Sequence, residues 1–232
     1  MLTLRDQAFL AALSGGIGPD DFPGLHRWYK ADYFNEADGV MVGVNGTNEW
    51  FDETGSGDDA GSVIGVTYRN IATFGGRQYL AFGPGHQLFA PGTLTDFTVI
   101  AVMRQTGTTS MLLQDSFGSG DQLRISFLGN DTRLFYDGTG VGQAANAWGS
   151  PAAVNAIAFR RSGTTVSFRE NKTDRGSFVY SAANFDVVEI GSASLGGQLD
   201  LAEIMIWTSV LSDADVDLLY DDYLKPRWTA LP

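Results

Sequence analysis

Short segments that alternate apolar and polar residues follow one another between residues 25 and 207. In LRISF (123–127) the three apolar residues fall on one face of an extended chain, with Arg124 and Ser126 on the other. In FTVIAVM (97–103) both faces are apolar, which predicts a central strand covered on both sides. The pattern predicts an all-β sandwich or barrel, and the lack of alternating strands and helices argues against a parallel sheet.

The strands are separated by turn sequences in which Gly, Asn and Asp supply left-handed backbone positions. One of these sequences, ENKTDRGS (170–177), is predicted to join two strands as a turn. We predict strands over residues 25–31, 77–83, 97–104, 110–116, 122–129, 132–138, 154–161, 165–171, 186–192 and 199–207. Together these segments predict one β domain over residues 25–232.

The C-terminal part of the chain changes from strand to helix spacing. Ser212 is a predicted N-cap, and Asp215 three residues later completes a capping box. The apolar residues that follow recur at helical spacing, and Pro226 is predicted to end the helix. They are Val216, Leu219, Tyr220, Tyr223 and Leu224. A helix with one apolar stripe must pack on an apolar surface, so we expect it to cover the sheet beside LDLAEIMIW (199–207).

A second helix is predicted at the N-terminus, where Thr3 is a candidate cap and SGG (14–16) a stop signal. GIGPDDFPG (16–24) then indicates a connector, so residues 1–24 form a separate appendage. Such a short helix is marginal alone and needs a surface to pack on. It either docks on its own domain or contacts another subunit. Because its apolar face is small and rich in alanine, we predict that it mediates assembly.

Charge and composition exclude several classes of function. The 232 residues carry 27 acidic against 15 basic side chains, a formal net charge of −12, which disfavours binding to nucleic acid or to anionic lipid surfaces. No apolar run approaches the ~20 residues that span a bilayer. The chain has no cysteine, so disulfides, thiolate metal sites and cysteine nucleophiles are excluded. Only His26 and His86 could bind zinc, and neither has a neighbouring ligand pattern.

An acidic loop, DETGSGDD (52–59), is the candidate metal site. Asp52, Glu53, Asp58 and Asp59 surround flexible glycines, and oxygen-rich loops suit calcium. The spacing is not that of an EF-hand. The alternative is an ordinary turn in which Asp52 accepts backbone N–H hydrogen bonds. Calcium is the one candidate cofactor, and the predicted fold does not require it.

Exposed aromatic residues beside polar side chains are the candidate sugar-binding groups, because aromatic rings stack on pyranose faces. Tyr136 with Asp137, and Trp148 with Asn146 in AANAWGS, lie in predicted loops or strand ends. Aromatic residues of this kind more often cap the core. These four residues are the predicted glycan contacts.

Three segments together resemble the concanavalin A-like lectin/glucanase superfamily, and within it the laminin-G-like jelly-roll domains. They are FPGLHRWYKAD (22–32), WFDETGSGDDA (50–60) and AEIMIWTSVLSDADVDLLYDDYLKPRW (202–228). Domains of this group commonly open on a Trp strand followed by Asp, continue with a Trp-x-Asp loop, and close on an apolar strand and a Ser-capped helix. The resemblance implies a two-sheet antiparallel jelly roll.

The resemblance also makes glycoside hydrolysis a candidate activity, because glucanases of this superfamily carry Glu-x-Asp-x-(x)-Glu on one strand. Retaining hydrolysis needs two carboxyl groups ~5–5.5 Å apart. LDLAE offers only Asp200 and Glu203, which a regular strand places on opposite faces. We therefore interpret Glu203 as a buried carboxylate that joins the last strand to the sandwich, through an arginine for instance. Trp207, Ser212 and Asp215 are also interpreted as structural.

Three classes of function remain. The sequence favours a non-enzymatic structural, decoration or receptor-binding module on the surface of a phage virion or similar particle, as a homo-oligomer or part of a capsid or tail. A free glycan-binding module or adhesin is the first alternative, and a glycoside hydrolase with an unrecognised active site is the second. Domains that resemble this family usually act outside cells, and a virion component that is freed by lysis needs no secretion signal. Because no secretion signal is detected, we predict a location on a virion surface or outside cells.

Overall fold

The computed structural model describes residues 16–31, 39–40, 49–64, 67–70, 74–83, 86–107, 109–114, 122–128, 131–137, 141–144, 152–180, 184–192 and 198–232. The N-terminal helix predicted before Gly16 lies outside these residues, so its role in assembly stays a prediction. Within them, no helix is long and apolar enough to cross a membrane.

The described strands form two sheets, one of nine strands and one of eight. The strands are β1 Leu25–Lys30, β2 Gly39–Val40, β3 Glu49–Trp50, β4 Ala60–Ile64, β5 Thr67–Asn70, β6 Gln78–Phe82, β7 His86–Leu94, β8 Phe97–Gln105, β9 Thr109–Gln114, β10 Gln122–Leu128, β11 Asp131–Asp137, β12 Val141–Ala144, β13 Asn155–Ser162, β14 Thr165–Glu170, β15 Thr173–Val179, β16 Phe185–Ser192 and β17 Leu199–Trp207. The nine-stranded sheet has the order β15-β14-β13-β8-β17-β6-β5-β2, and β1 also pairs with β17. The eight-stranded sheet has the order β12-β11-β10-β9-β16-β7-β4-β3. All described pairs are antiparallel, which confirms the predicted two-sheet antiparallel sandwich.

Two apolar clusters hold these layers together. The inner cluster lies between the sheets and includes Val99 and Phe159 from one sheet with Leu113 and Ile190 from the other. The outer cluster lies on the other face of the nine-stranded sheet, where Met205 and its neighbours pack against the C-terminal helix. The strand between them, β17, is buried at every position because it faces one cluster or the other. This confirms the prediction that the terminal helix covers the sheet.

The terminal helix runs further than its sequence predicts. Helix α1, Asp213–Leu219, continues into a π-helical turn, Tyr220–Leu224, and a last α-helical turn, Lys225–Arg227. The prediction that Pro226 ends the helix is therefore wrong, because the helix continues to Arg227. Pro226 lies inside the last turn, directly after the π-helical turn.

The segment predicted as a turn at 170–177 is mostly strand. The chain turns at residues 171–172, where Asn171 has a positive φ of 56°, and β15 then pairs with β14. The prediction was wrong because β15 is an edge strand with both faces largely exposed, so its sequence lacks the alternation that marks a half-buried strand.

Candidate functional site

Glu203 is fully buried on the outer face of the nine-stranded sheet. The register between β17 and β8 shifts between Leu201 and Glu203, which is a β-bulge. Leu201 and Ile204 both point into the inner cluster, whereas Ala202 belongs to the outer cluster. The bulge therefore places two successive residues, Ala202 and Glu203, beneath the terminal helix.

Four groups surround the Glu203 carboxylate, one from β1 and three from the C-terminal segment. Trp28 Nε1 and Tyr223 OH each donate to Oε1 at 2.6 Å. Trp228 Nε1 donates to Oε2 at 2.6 Å, and Arg227 Nε lies 3.3 Å from the same oxygen. Burial raises the pKa of Glu203, while the charge of Arg227 and the three hydrogen bonds oppose that rise. Because every partner is a donor, the carboxylate acts as a common acceptor that ties β1 and β17 to the C-terminal segment.

The bulge also overturns the expectation that Asp200 and Glu203 lie on opposite faces. Asp200 stands between Leu199 and Leu201, which both point inward, so Asp200 and Glu203 share the outer face. They still form no hydrolytic pair. Asp200 is held by Arg104 Nε at 2.6 Å, and Glu203 is sealed from solvent.

Strand β16 brings two further carboxyl groups to one face. A register shift between Val187 and Glu189 lets Asp186 and Glu189 both face outward from the eight-stranded sheet. Their spacing matches the Asp-x-(x)-Glu part of the glucanase pattern, but Asn184 stands where that pattern has its first Glu. Glu189 is buried and accepts a hydrogen bond from Gln114 Nε2. This strand therefore lacks one of the pattern's carboxyl groups.

Asp52 organises the acidic loop by accepting four hydrogen bonds. Its Oδ1 accepts from the backbone N–H groups of Trp28 and Thr54, each at 3.0 Å. Its Oδ2 accepts from the hydroxyls of Thr54 at 2.7 Å and Ser56 at 2.6 Å. This is the turn geometry that the sequence left as the alternative to calcium.

The other three acids of the loop bond to protein groups as well. Glu53 pairs with Lys30 Nζ at 3.0 Å, and Asp58 pairs with Arg27 Nη2 at 2.9 Å. Asp59 Oδ1 accepts the backbone N–H of Asp52 at 2.9 Å. In the part of the chain that the structure describes, no three His, Cys, Asp or Glu side chains converge as metal ligands do. The calcium site stays a prediction.

We expect Asp52→Ala to lower the free energy of unfolding by roughly 1–3 kcal/mol, because four donors lose their acceptor. Chemical denaturation measures this, with the exposed Asp20→Ala as control. A loss below ~0.5 kcal/mol would contradict a structural role for Asp52. A calcium titration separates the two hypotheses, since a calcium site would raise the Tm of the wild type and not that of Asp52→Ala.

An open cleft of about 420 Å³ lies on the outer side of the nine-stranded sheet, beside the start of α1. One wall is the hairpin of β13 and β14, in which Arg160 lies opposite Ser167 and Ser162 opposite Thr165. The other wall is the segment that joins β17 to α1. The lining residues are Arg160, Ser162, Thr165, Ser167, Val210, Leu211, Ser212 and Asp213.

The cleft combines free hydroxyls with a fixed ion pair. The hydroxyls of Ser162, Thr165 and Ser167 bond to no other residue in the described part of the chain. Arg160 donates from Nη1 to the carbonyl oxygen of Leu211 at 3.1 Å, and its Nη2 lies 2.5 Å from Asp213 Oδ1. These contacts hold the two walls together and leave the hydroxyls open to a ligand.

The capping box at the start of α1 also borders the cleft. Ser212 Oγ accepts the N–H of Asp215 at 3.2 Å, and Asp215 Oδ2 accepts the N–H of Ser212 at 3.0 Å. Both side chains therefore bond to the backbone at the N-terminus of the helix. Trp207 is fully buried in the outer cluster.

The four predicted sugar contacts fall on residues or side chains that the structure does not describe. Asn146 and Trp148 lie outside the described residues, and so do the side chains of Tyr136 and Asp137 on β11. The cleft residues on the hairpin were missed for a physical reason. Alternation shows that Ser167 faces away from the core, but not that a segment more than forty residues away builds a wall opposite it.

The sequence matches no protein-family model and no curated protein. Solved structures show similarity in fold. The binding domain of Paraclostridial Mosquitocidal Protein 1 has a TM-score of 0.64 at 10% identity, over 88% of this chain and 53% of that one. This chain thus spans about half of that structure.

Two further structures extend this similarity. Domain 4 of AbnA, a GH43 extracellular arabinanase from Geobacillus stearothermophilus, was solved in complex with arabinotriose. It has a TM-score of 0.60 at 15% identity, over 85% of this chain and 98% of that one. Trypanosoma rangeli sialidase has a TM-score of 0.56 at 15% identity, over 86% of this chain but 33% of the sialidase. At these identities the similarity shows the fold alone, which is a β-sandwich.

Proposed function

We propose that the protein is a non-enzymatic module that binds saccharides. The observation that carries the proposal is the cleft beside Arg160, in which three free hydroxyls and an ion-paired carboxylate surround about 420 Å³. Ligand pockets typically fall between about 300 and 1,000 Å³. This volume suits one or two sugar units.

The chemistry of the cleft matches a sugar surface. Sugar hydroxyls both donate and accept, so they complement serine and threonine hydroxyls, which do the same. Val210, 40% exposed at the cleft wall, offers an apolar contact for the C–H face of a ring. A small number of polar groups that fix orientation beside an apolar surface is typical of small-molecule sites.

The same geometry argues against hydrolysis at this cleft. Asp213 is the one carboxylate in the lining, and Arg160 holds it as an ion pair. Glycoside hydrolysis by the usual route needs two carboxyl groups. In the described part of the chain, Asp200, Glu189 and Glu203 also have protein partners.

Similarity in fold supports binding but does not assign a ligand. Domain 4 of the arabinanase, of which the match covers almost the whole length, was solved with arabinotriose. The virion-surface role favoured by the sequence draws no support from the similar structures, and it stays a prediction, as does the extracellular location. A saccharide-binding module is compatible with either setting.

The test is a glycan array followed by isothermal titration calorimetry on the strongest ligands, with arabinotriose included. We expect Thr165→Tyr, which fills the cleft, to weaken binding by at least roughly tenfold. Thr173→Tyr is the matched control, because Thr173 is also exposed on a strand of the same sheet but does not line the cleft. It should bind like the wild type.

Two results would contradict the proposal. One is a wild-type protein that binds no glycan on the array. The other is release of reducing sugar from a bound oligosaccharide, which would make the protein an enzyme.

A further inference from the structure

We propose that the cleft selects uncharged saccharides and rejects those with acid groups, because it presents a carboxylate and hides its cations. This inference rests on the proposed function, since it names the ligand class of the same cleft. It is carried by the arrangement of Asp213 between Arg160 and Arg169.

Both arginines bond the same oxygen of Asp213. Arg160 Nη2 lies 2.5 Å from Oδ1, and Arg169 Nη1 lies 3.5 Å from it. Arg169 Nη1 also donates to the backbone carbonyl oxygen of Asp213 at 3.2 Å. Among the described residues, none bonds the second oxygen, Oδ2. One carboxylate oxygen is thus fixed by two cations, and the other is left as a free acceptor.

The exposed fractions of the three side chains show which charged group a ligand would contact. The side chain of Asp213 is 70% exposed, whereas those of Arg160 and Arg169 are 13% and 8% exposed. Arg169 is further occupied by Asp217, 2.9 Å from its Nη2, and by the carbonyl oxygen of Lys172 at 2.6 Å. The two guanidinium groups therefore contact the carboxylate of Asp213 from its buried side, and the carboxylate itself faces solvent.

A carboxylate with one fixed oxygen and one free oxygen favours hydroxyl donors. Hydrogen bonds to a charged acceptor contribute more than those between neutral groups, and the fixed rotamer reduces the entropy cost of binding. A carboxylated or sulfated sugar would instead bring a second negative charge towards Asp213. Like charges at close range repel each other, and the net charge of −12 adds to the repulsion.

A second ion pair on the same helical segment provides a matched control. Lys172 Nζ lies 2.7 Å from Asp221 Oδ2, and both side chains are close to half exposed. Asp221 belongs to the same helical segment as Asp213 but does not line the cleft. Asp221→Asn removes one negative charge nearby without changing the cleft surface.

The experiment compares glycans that differ in one acid group, for instance lactose with sialyllactose and an arabinan or xylan oligomer with its uronic-acid-substituted form. Titration calorimetry at low salt measures each member with the intact chain. We expect the wild type to bind the neutral member of each pair at least roughly tenfold more tightly, a factor equal to 1.4 kcal/mol. Asp213→Asn should reduce this preference to below threefold, and Asp221→Asn should leave it unchanged.

The outcomes separate the two proposals. Tighter binding of the acidic members, or neutral binding that Thr165→Tyr does not weaken, overturns the inference while saccharide binding stands. Absence of all binding overturns both. If Asp213→Asn fails to fold, the wild-type comparison and the Thr165→Tyr variant still decide, because neither depends on Asp213 being replaced.

Discussion

Glu203→Ala should lower the free energy of unfolding by about 3–5 kcal/mol, because it leaves a buried cluster of donors without their acceptor. Trp28, Tyr223 and Trp228 each donate to this carboxylate at 2.6 Å, and Arg227 lies 3.3 Å from it. All three hydrogen bonds join segments that are distant in sequence or belong to different elements. The loss should therefore affect β1, β17 and the terminal helix together, as one cooperative transition.

Glu203→Gln is a second, more conservative variant at the same position. Glutamine keeps the shape and one accepting oxygen, but it turns an amide NH₂ towards groups that can only donate at this site. We expect a smaller loss of ~1–3 kcal/mol. Urea denaturation followed by tryptophan fluorescence measures both variants, with the exposed Asp222→Ala as control. A Glu203→Ala protein within ~0.5 kcal/mol of the wild type would show that the cluster is not structural.

Truncation after Ser209 should prevent folding to a soluble native state. The removed segment supplies much of the outer cluster that covers the nine-stranded sheet. Its buried members are Leu211, Val216, Leu219, Tyr220, Leu224, Trp228 and Leu231. Each buried side chain of this size contributes roughly 1.5–3 kcal/mol, so the sum exceeds or matches the ~5–15 kcal/mol by which domains are stable.

The truncated chain would also expose Trp207 and Met205, now fully buried beneath the helix. Large exposed apolar patches favour aggregation. The measurement is soluble yield, then near-ultraviolet circular dichroism and thermal melting of any soluble fraction. Leu218→Ser is the control, because Leu218 is the apolar helix residue that is 40% exposed and its loss should cost little. A truncated protein that melts cooperatively near the wild-type Tm would contradict the prediction.

The local sequence pattern predicted those strands and helix ends that are determined by residues close together in the chain. The alternation in 123–127 and 165–169 and the apolar run in 97–103 predicted strands that the structure contains. Ser212 and Asp215 predicted the start of α1, since a capping box is formed within four residues. The burial of Glu203 was also inferred from the sequence, because one acid inside an apolar strand needs partners.

Features that depend on distant contacts were missed. The bulge after Leu201 arises from the pairing of β17 with β8, and it puts Asp200 and Glu203 on one face. Edge strand β15 pairs with β14 alone among the described strands, and most of its side chains are exposed, so its own sequence lacks the alternation of a half-buried strand. The cleft needs a hairpin and a helix start that come from separate parts of the chain.

The place of β17 in its sheet has a consequence for how the protein is synthesised. This strand lies between β8 on one side and β1 and β6 on the other, and it is the last strand of the chain. During synthesis, β1, β6 and β8 leave the ribosome long before β17, so the edges that pair with β17 stay unpaired until it emerges. Such long-range pairing makes folding slow and leaves nascent chains open to aggregation. The nine-stranded sheet can therefore be completed only after β17 has been synthesised, and expression at lower temperature or with holdase chaperones should raise the soluble yield.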